Sequence, residues 1–203
     1  MTAIAHHAAL IAAASISAYT TLNPSDKSSS ITLSGGNLVA TGNTATSGIV
    51  RSIKAITDKK YFECVISGPN VGNTATWAAG IANASASLTG SLGYSDANGW
   101  AFWAANLGAR HNGITTVTIG AYAPNVLGFA VDETSGNMWI SINGVWISGD
   151  PVEGTSPAFT GITGTIYAAA CPWTNAVSAK CTMRFDPALM SYTLPTGYSG
   201  IAA

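Results

Sequence analysis

A chain of 203 residues has room for one generous domain, and its 47% apolar content can build a core without help from a metal or from disulfides. Charged residues make up only 8%, against about 25% in an ordinary soluble domain, and eight basic against nine acidic residues leave a formal net charge of −1. No run of either sign occurs, which excludes the phosphate-neutralising basic patch of a nucleic-acid binder. The polar surface must then be Ser, Thr, Asn and Gly. Such a surface loses its water cheaply, which suits a face covered by neighbours in an assembly and equally an extracellular domain.

Residues 1 to about 22 form an Ala-rich arm in which Ile4, Ala8 and Ile11 can share one helical face. So short and poorly capped a helix is marginal alone, so the arm is expected to dock on its own domain or on another subunit. Ile4, Leu10 and Ile11 are its candidate assembly contacts. Ala8 to Ala18 has the look of a secretory leader, but only His6 and His7 stand where a leader carries positive charge, and no cleavage is expected. No run of 18 apolar residues exists, so no membrane span is expected.

From Asn23-Pro24-Ser25-Asp26 onward, residues 23–203 read as one domain of short apolar runs alternating with Gly, Asn, Ser, Thr and Pro clusters. That is the pattern of an antiparallel two-sheet sandwich. The expected strands are Ile31–Leu33, Leu38–Thr41, Ile49–Ser52, Lys60–Ser67, Ala78–Ala82, Gly99–Trp103, Thr115–Ile119, Val126–Asp132, Asn137–Asn143, Ile166–Pro172 and Ala179–Phe185. The clearest unit is the hairpin Val126–Asn143, with Asp132 and Asn137 flanking a loop of Glu133 to Gly136. That register sets Leu127, Phe129 and Val131 beside Met138, Ile140 and Ile142 on a core face. The other face carries Gly128, Ala130 and Trp139, whose indole is expected to be a subunit contact or to lie under the arm. Asn143-Gly144 supplies the next turn.

Cys64 sits in a strand and reads as a buried thiol. Cys171 and Cys181 lie symmetrically about residues 174–178, and a symmetric hairpin there would set them opposite each other, as a cross-strand disulfide or as two free thiols.

Chemistry finds little footing. No Gly-x-Ser-x-Gly elbow appears, and a Cys–His pair would have to bring His111 to one of the three cysteines. His6 and His7 are adjacent, diverge on a helix and lack a third ligand, so neither a metal nor another cofactor is expected. Glycoside hydrolysis needs two carboxyls about 5 to 10 Å apart in a cleft. Asp132, Glu133, Asp150 and Glu153 read instead as turn residues. Binding is the better expectation, and the candidate loop residues are Trp77, Tyr94, Trp100, Trp103, Arg110, His111, Asn112 and Trp173. Aromatic faces beside Asn and Arg suit sugar rings or peptide anchors, whereas core or packing is the simpler reading of Trp100 and Trp103 taken singly.

An ordered series of short motifs resembles the SPRY domain. Lys60-Tyr61-Phe62-Glu63 is similar to the "YFE" strand, Ala79-Gly80-Ile81-Ala82 to the "GVGI" strand, and Gly99-Trp100-Ala101-Phe102 to the "GW.Y" strand. His111-Asn112-Gly113 resembles the "hnG" turn. Val126 to Asp132 followed by Met138 to Gly144 resembles the paired "viGvalD … lwfskNG" signature. Ile166 to Ala170 departs from "lyPavs" in having Ala168 for Pro, Arg184-Phe185-Asp186 replaces "NFG", and Leu194 to Tyr198 matches the closing "pP.Gy". The resemblance spans about Ser25 to Tyr198 and implies a concanavalin-like sandwich that binds through loops. More narrowly, residues 23–28 and 82–88 resemble SPRY-like proteins of tailed bacteriophages and prophages. That implies a non-enzymatic virion component (head decoration, fibre or tail part) whose partners are other virion proteins and its own copies. The alternative is a secreted or cell-surface recognition module for a host glycan or protein.

Overall fold

Period-two alternation of apolar residues becomes β-strands in a computed structural model, which describes residues 18–67, 77–103, 107–118, 126–173 and 179–203. In chain order these hold β1 (Leu22–Lys27), β2 (Ile31–Ser34), β3 (Val39–Gly42), β4 (Val50–Ile56), β5 (Lys59–Ser67), β6 (Trp77–Asn83) and β7 (Gly99–Trp103). There follow β8 (Gly108–His111), β9 (Ile114–Thr118), β10 (Val126–Asp132), β11 (Asn137–Ile142), β12 (Val145–Trp146), β13 (Ile166–Pro172) and β14 (Lys180–Arg184). One turn of 3-10 helix, Pro187–Leu189, is capped by the Asp186 carboxylate. Ile4, Leu10 and Ile11 lie outside the described residues.

Two antiparallel sheets of seven strands result, ordered β1-β4-β13-β6-β7-β8-β9 and β12-β11-β10-β5-β14-β3-β2. Their inner faces interlock as the main core, where Phe62 stacks on Phe129 at 5.0 Å and Trp77 on Phe102 at 6.1 Å. Buried aromatics of this kind are each worth about 3–5 kcal/mol. The expected hairpin forms in the expected register, Asp132 opposite Asn137, with Gly136 at φ 67° in its loop. Asn143 and Gly144, at φ 49° and 81°, make the following turn into β12.

Two strands have no apolar signature. β1 carries Pro24, Asn23 and Asp26, a turn composition tolerated because β1 is an edge strand with one irregular ladder. β8 is four residues long, between Leu107 and Asn112, both at positive φ. Residues 18–22, counted with the arm above, belong to the sandwich: Tyr19 bridges Ala202, and Thr20 donates to the Ile201 carbonyl.

The pairing of Cys171 with Cys181 does not form, and all three cysteines are free and buried. β13 lies between β4 and β6 in one sheet, and β14 between β5 and β3 in the other. Cys181 joins Cys64 in the main core, whereas Cys171 faces outward beneath a loop and donates to the Gly90 carbonyl.

Each outer face is also covered. On the β10–β5 side a smaller apolar cluster gathers Tyr61, Ala130, Trp139 and Tyr198 with Trp146, Met190 and Leu194. Trp139 is therefore buried by the chain's own C-terminal segment, 1% exposed, and not an open indole awaiting a neighbour. Its ring N–H donates to the Thr155 carbonyl at 2.7 Å. The clamp on that segment is Glu63. This fully buried carboxylate accepts from the backbone N–H groups of Ser191 at 2.7 Å and Tyr192 at 2.9 Å, and from Arg184 at 3.3 Å.

Candidate recognition site

Strand parity decides which aromatic residues reach a surface. On β7, Trp100 and Phe102 point into the main core, so Ala101 and Trp103 point outward. β8 pairs with β7 so that Arg110 stands opposite Ala101, on the outer face, and His111 opposite Trp100. The outer face of this sheet is built of small residues, Ala78, Ala82, Ala101 and Ala169, and the loop after β6 lies flat upon it. Gly93, at φ 74°, permits the closest approach, since a Cβ there would stand 2.5 Å from the Arg110 carbonyl oxygen.

That loop delivers Tyr94 to Arg110. The guanidinium lies 4.5 Å from the centre of the Tyr94 ring and 5.3 Å from that of Trp103, within cation–π range. Trp103 packs 5.5 Å from Tyr94 on one side and 5.5 Å from Trp173 on the other, and its indole N–H donates to the Leu92 carbonyl. Below the guanidinium, Asn112 and Gly113 form a two-residue turn with both φ positive, 48° and 74°, the geometry of a type I′ hairpin between β8 and β9. The turn is clipped from both directions. Gly113 donates its N–H to the Gly93 carbonyl, and its own carbonyl accepts from Arg110 Nε at 3.1 Å and Nη2 at 2.9 Å.

The structure thus joins four of the eight candidate residues, Arg110, Tyr94, Trp103 and Trp173, into one continuous line, with Asn112 exposed beside it. Only part of the line is accessible: Tyr94 is 52% exposed and Arg110 half-buried, while Trp103 and Trp173 are 8% and 7% exposed. Trp77 and Trp100 are placed elsewhere, in the main core. His111 stacks on Trp100 with rings 4.8 Å apart, and its Nδ1 donates to the Gly99 carbonyl at 2.9 Å. Sequence reasoning missed the Gly113 carbonyl that fixes Arg110. It also missed Glu63, whose signal was a carboxylate set between the apolar residues Tyr61, Phe62, Cys64, Val65 and Ile66.

Two of the four carboxylates considered for hydrolysis have structural work. Asp132 accepts from the Ser135 N–H and faces Lys59 at 3.6 Å, and Asp150 accepts from the Val152 N–H. A cleft of about 360 Å³ lies between residues 133–136 and 161–164, and Glu133 is the one carboxylate lining it. Among the described residues no three His, Cys, Asp or Glu side chains gather as metal ligands, and no helix is long and apolar enough to cross a membrane.

No family model and no curated protein matches the chain. Solved structures do. The SPRY domain of human HERC1 superposes with a TM-score of 0.64 at 15% identity, over 80% of this chain and 96% of that one. The TRIM65 PSpry domain gives 0.58 at 13% identity, over 80% and 91%. Stonustoxin gives 0.58 at 18% identity over 81% of this chain, which spans 27% of the toxin's length. The chain therefore has the SPRY-type β-sandwich fold.

Proposed function

We propose that the chain is a non-catalytic recognition module that holds a protein or peptide against Tyr94 and Arg110. The observation that carries this reading is the Arg110–Tyr94–Trp103–Trp173 line, in which a half-exposed ring and a positioned guanidinium stand on a rigid, buried aromatic base. Partly exposed Tyr and Arg with fully packed neighbours are the composition of interface hot spots. A peptide suits the surface better than a sugar ring, because neither Trp103 nor Trp173 offers an open indole face and Arg110 lies over the Tyr94 ring. The test is selection of binders from a random dodecapeptide library on the immobilised chain, followed by titration. Tyr94→Ala should weaken the selected peptides at least about tenfold with an unchanged urea midpoint. Binding untouched by that substitution sinks the site, and a glycan array that lights up where the library stays blank replaces the ligand class.

The narrower setting, a structural part of a phage virion, is supported by the motif resemblance and by the 8% charge content. Purified particles lacking the chain should recapture it in a sedimentation assay. A monomer that stays in the supernatant removes this setting and leaves the recognition surface standing.

A further inference from the structure

Three arginines serve a sparsely charged chain, and two are neutralised at once. Arg51 forms a double hydrogen bond with Asp26 at 2.8 and 2.9 Å, and Arg184 reaches Glu63 at 3.3 Å. Arg110 has no carboxylate partner among the described residues. Its Nε and one Nη2 hydrogen both go to the Gly113 carbonyl, so this edge of the guanidinium is spent. The opposite edge, with one N–H each from Nη1 and Nη2, makes no hydrogen bond with the described residues. Two parallel N–H groups on a planar cation are the fork that a carboxylate accepts in bidentate fashion. The fork is already aimed, because the carbonyl grips it from one side and the Tyr94 and Trp103 rings flank it. Little side-chain entropy remains to be lost on binding. With so few charges on the chain, nothing nearby competes strongly for the anion.

From this we infer that the free edge of Arg110 takes an Asp or Glu side chain of the partner peptide, with the residue beside it lying on the exposed Tyr94 ring. The inference rests on the recognition surface proposed above and names its ligand chemistry. The dodecapeptide selection reads it directly: recovered sequences should carry Asp or Glu at one fixed position far above its frequency in the library. Replacing that Glu by Gln in the peptide should weaken binding to the native chain at least about tenfold, the worth of a charge-assisted hydrogen bond. This arm does not depend on any variant folding. On the protein side, Arg110→Gln should cost the same factor. Arg110→Lys should fail to restore affinity, because a single ammonium cannot present the fork. Lys54→Gln, which removes a charge on β4 at the other side of the sheet, should change affinity less than about twofold, since surface charges this far apart are screened. Neutral peptides that still need Tyr94 overturn the carboxylate inference and leave the recognition surface intact. A library that yields nothing, or binders indifferent to both Tyr94 and Arg110, overturns both.

Discussion

Glu63→Ala should unfasten the C-terminal segment from the outer face of the β10–β5 sheet. In the native chain each carboxylate oxygen of Glu63 takes a backbone N–H, Ser191 on Oε2 and Tyr192 on Oε1, and Arg184 also reaches Oε2. Alanine removes all of these acceptors from a site with no water access. Each orphaned buried N–H costs about 1–3 kcal/mol. Arg184 is 28% exposed and regains part of its hydration, so its loss falls toward the lower end. The losses share one cavity and are not additive, and breaking a buried ion pair from one side costs about 3–5 kcal/mol, which is the magnitude expected here. Glu63→Gln keeps the shape and one acceptor oxygen, so a loss of about 2 kcal/mol is expected. Urea unfolding followed by tryptophan fluorescence measures both, and limited proteolysis reports the segment itself, with new cleavage between residues 187 and 198 before global unfolding. A Glu63→Ala chain that loses less than about 1 kcal/mol, or whose segment resists protease as the native chain does, would refute the clamp.

Gly80→Ala should prevent normal folding, because its Cβ would stand 2.1 Å from the Trp100 carbonyl oxygen and 2.8 Å from the Ala101 Cα in the middle of a sheet. A cost above about 3 kcal/mol is expected, and an unchanged urea midpoint would contradict it. Burial pushes the Cys171 thiol up to about 12 from an ordinary value of 9.0. A raised folded-state pKa gives stability that is complete below pH 9 and drains away as pH climbs toward 12. Cys171→Ala should flatten the fall of the urea midpoint across that window, although the alkaline loss from Tyr198, also pushed up to about 12 by burial, remains. An identical slope in the two chains would remove Cys171 from the account. Arg51→Lys replaces a pair of hydrogen bonds to the Asp26 carboxylate and a hydrogen bond to the Asn83 carbonyl by one ammonium. It should cost about 1–2 kcal/mol and speed hydrogen exchange in β1, and unchanged β1 exchange would show that this pair does not hold the edge strand.

The hairpin β10–β11 was legible to the residue because period-two alternation and a loop glycine both act locally. β1 and β8 were not. An edge strand tolerates Pro24, and a four-residue strand between two positive-φ residues carries no period to read. The symmetry about residues 174–178 misled for a different reason: which strand lies beside β13 is settled by β4 and β6, far away in the chain. Parity likewise predicts a face but not what covers it. Trp139 was placed on the correct side of its sheet, yet its burial depends on residues 190–198, a segment far along the chain that Glu63 and the Tyr198 and Ser199 contacts hold in place. Tyr94 and Arg110 could be named from composition. Their meeting required a loop lying flat on alanines and a turn whose carbonyl points back at a guanidinium.

Ala203 donates its N–H to the Ala18 carbonyl, so both ends of the described sandwich leave from one corner, beside β1. In the sheet order, β8 with Arg110 lies five strand steps from β1, roughly 24 Å across at about 4.8 Å per step. The recognition surface proposed above and the paired ends of the described sandwich thus lie far apart on one sheet. A fluorophore or a carrier joined at Ala203 would therefore leave the proposed recognition surface unobstructed.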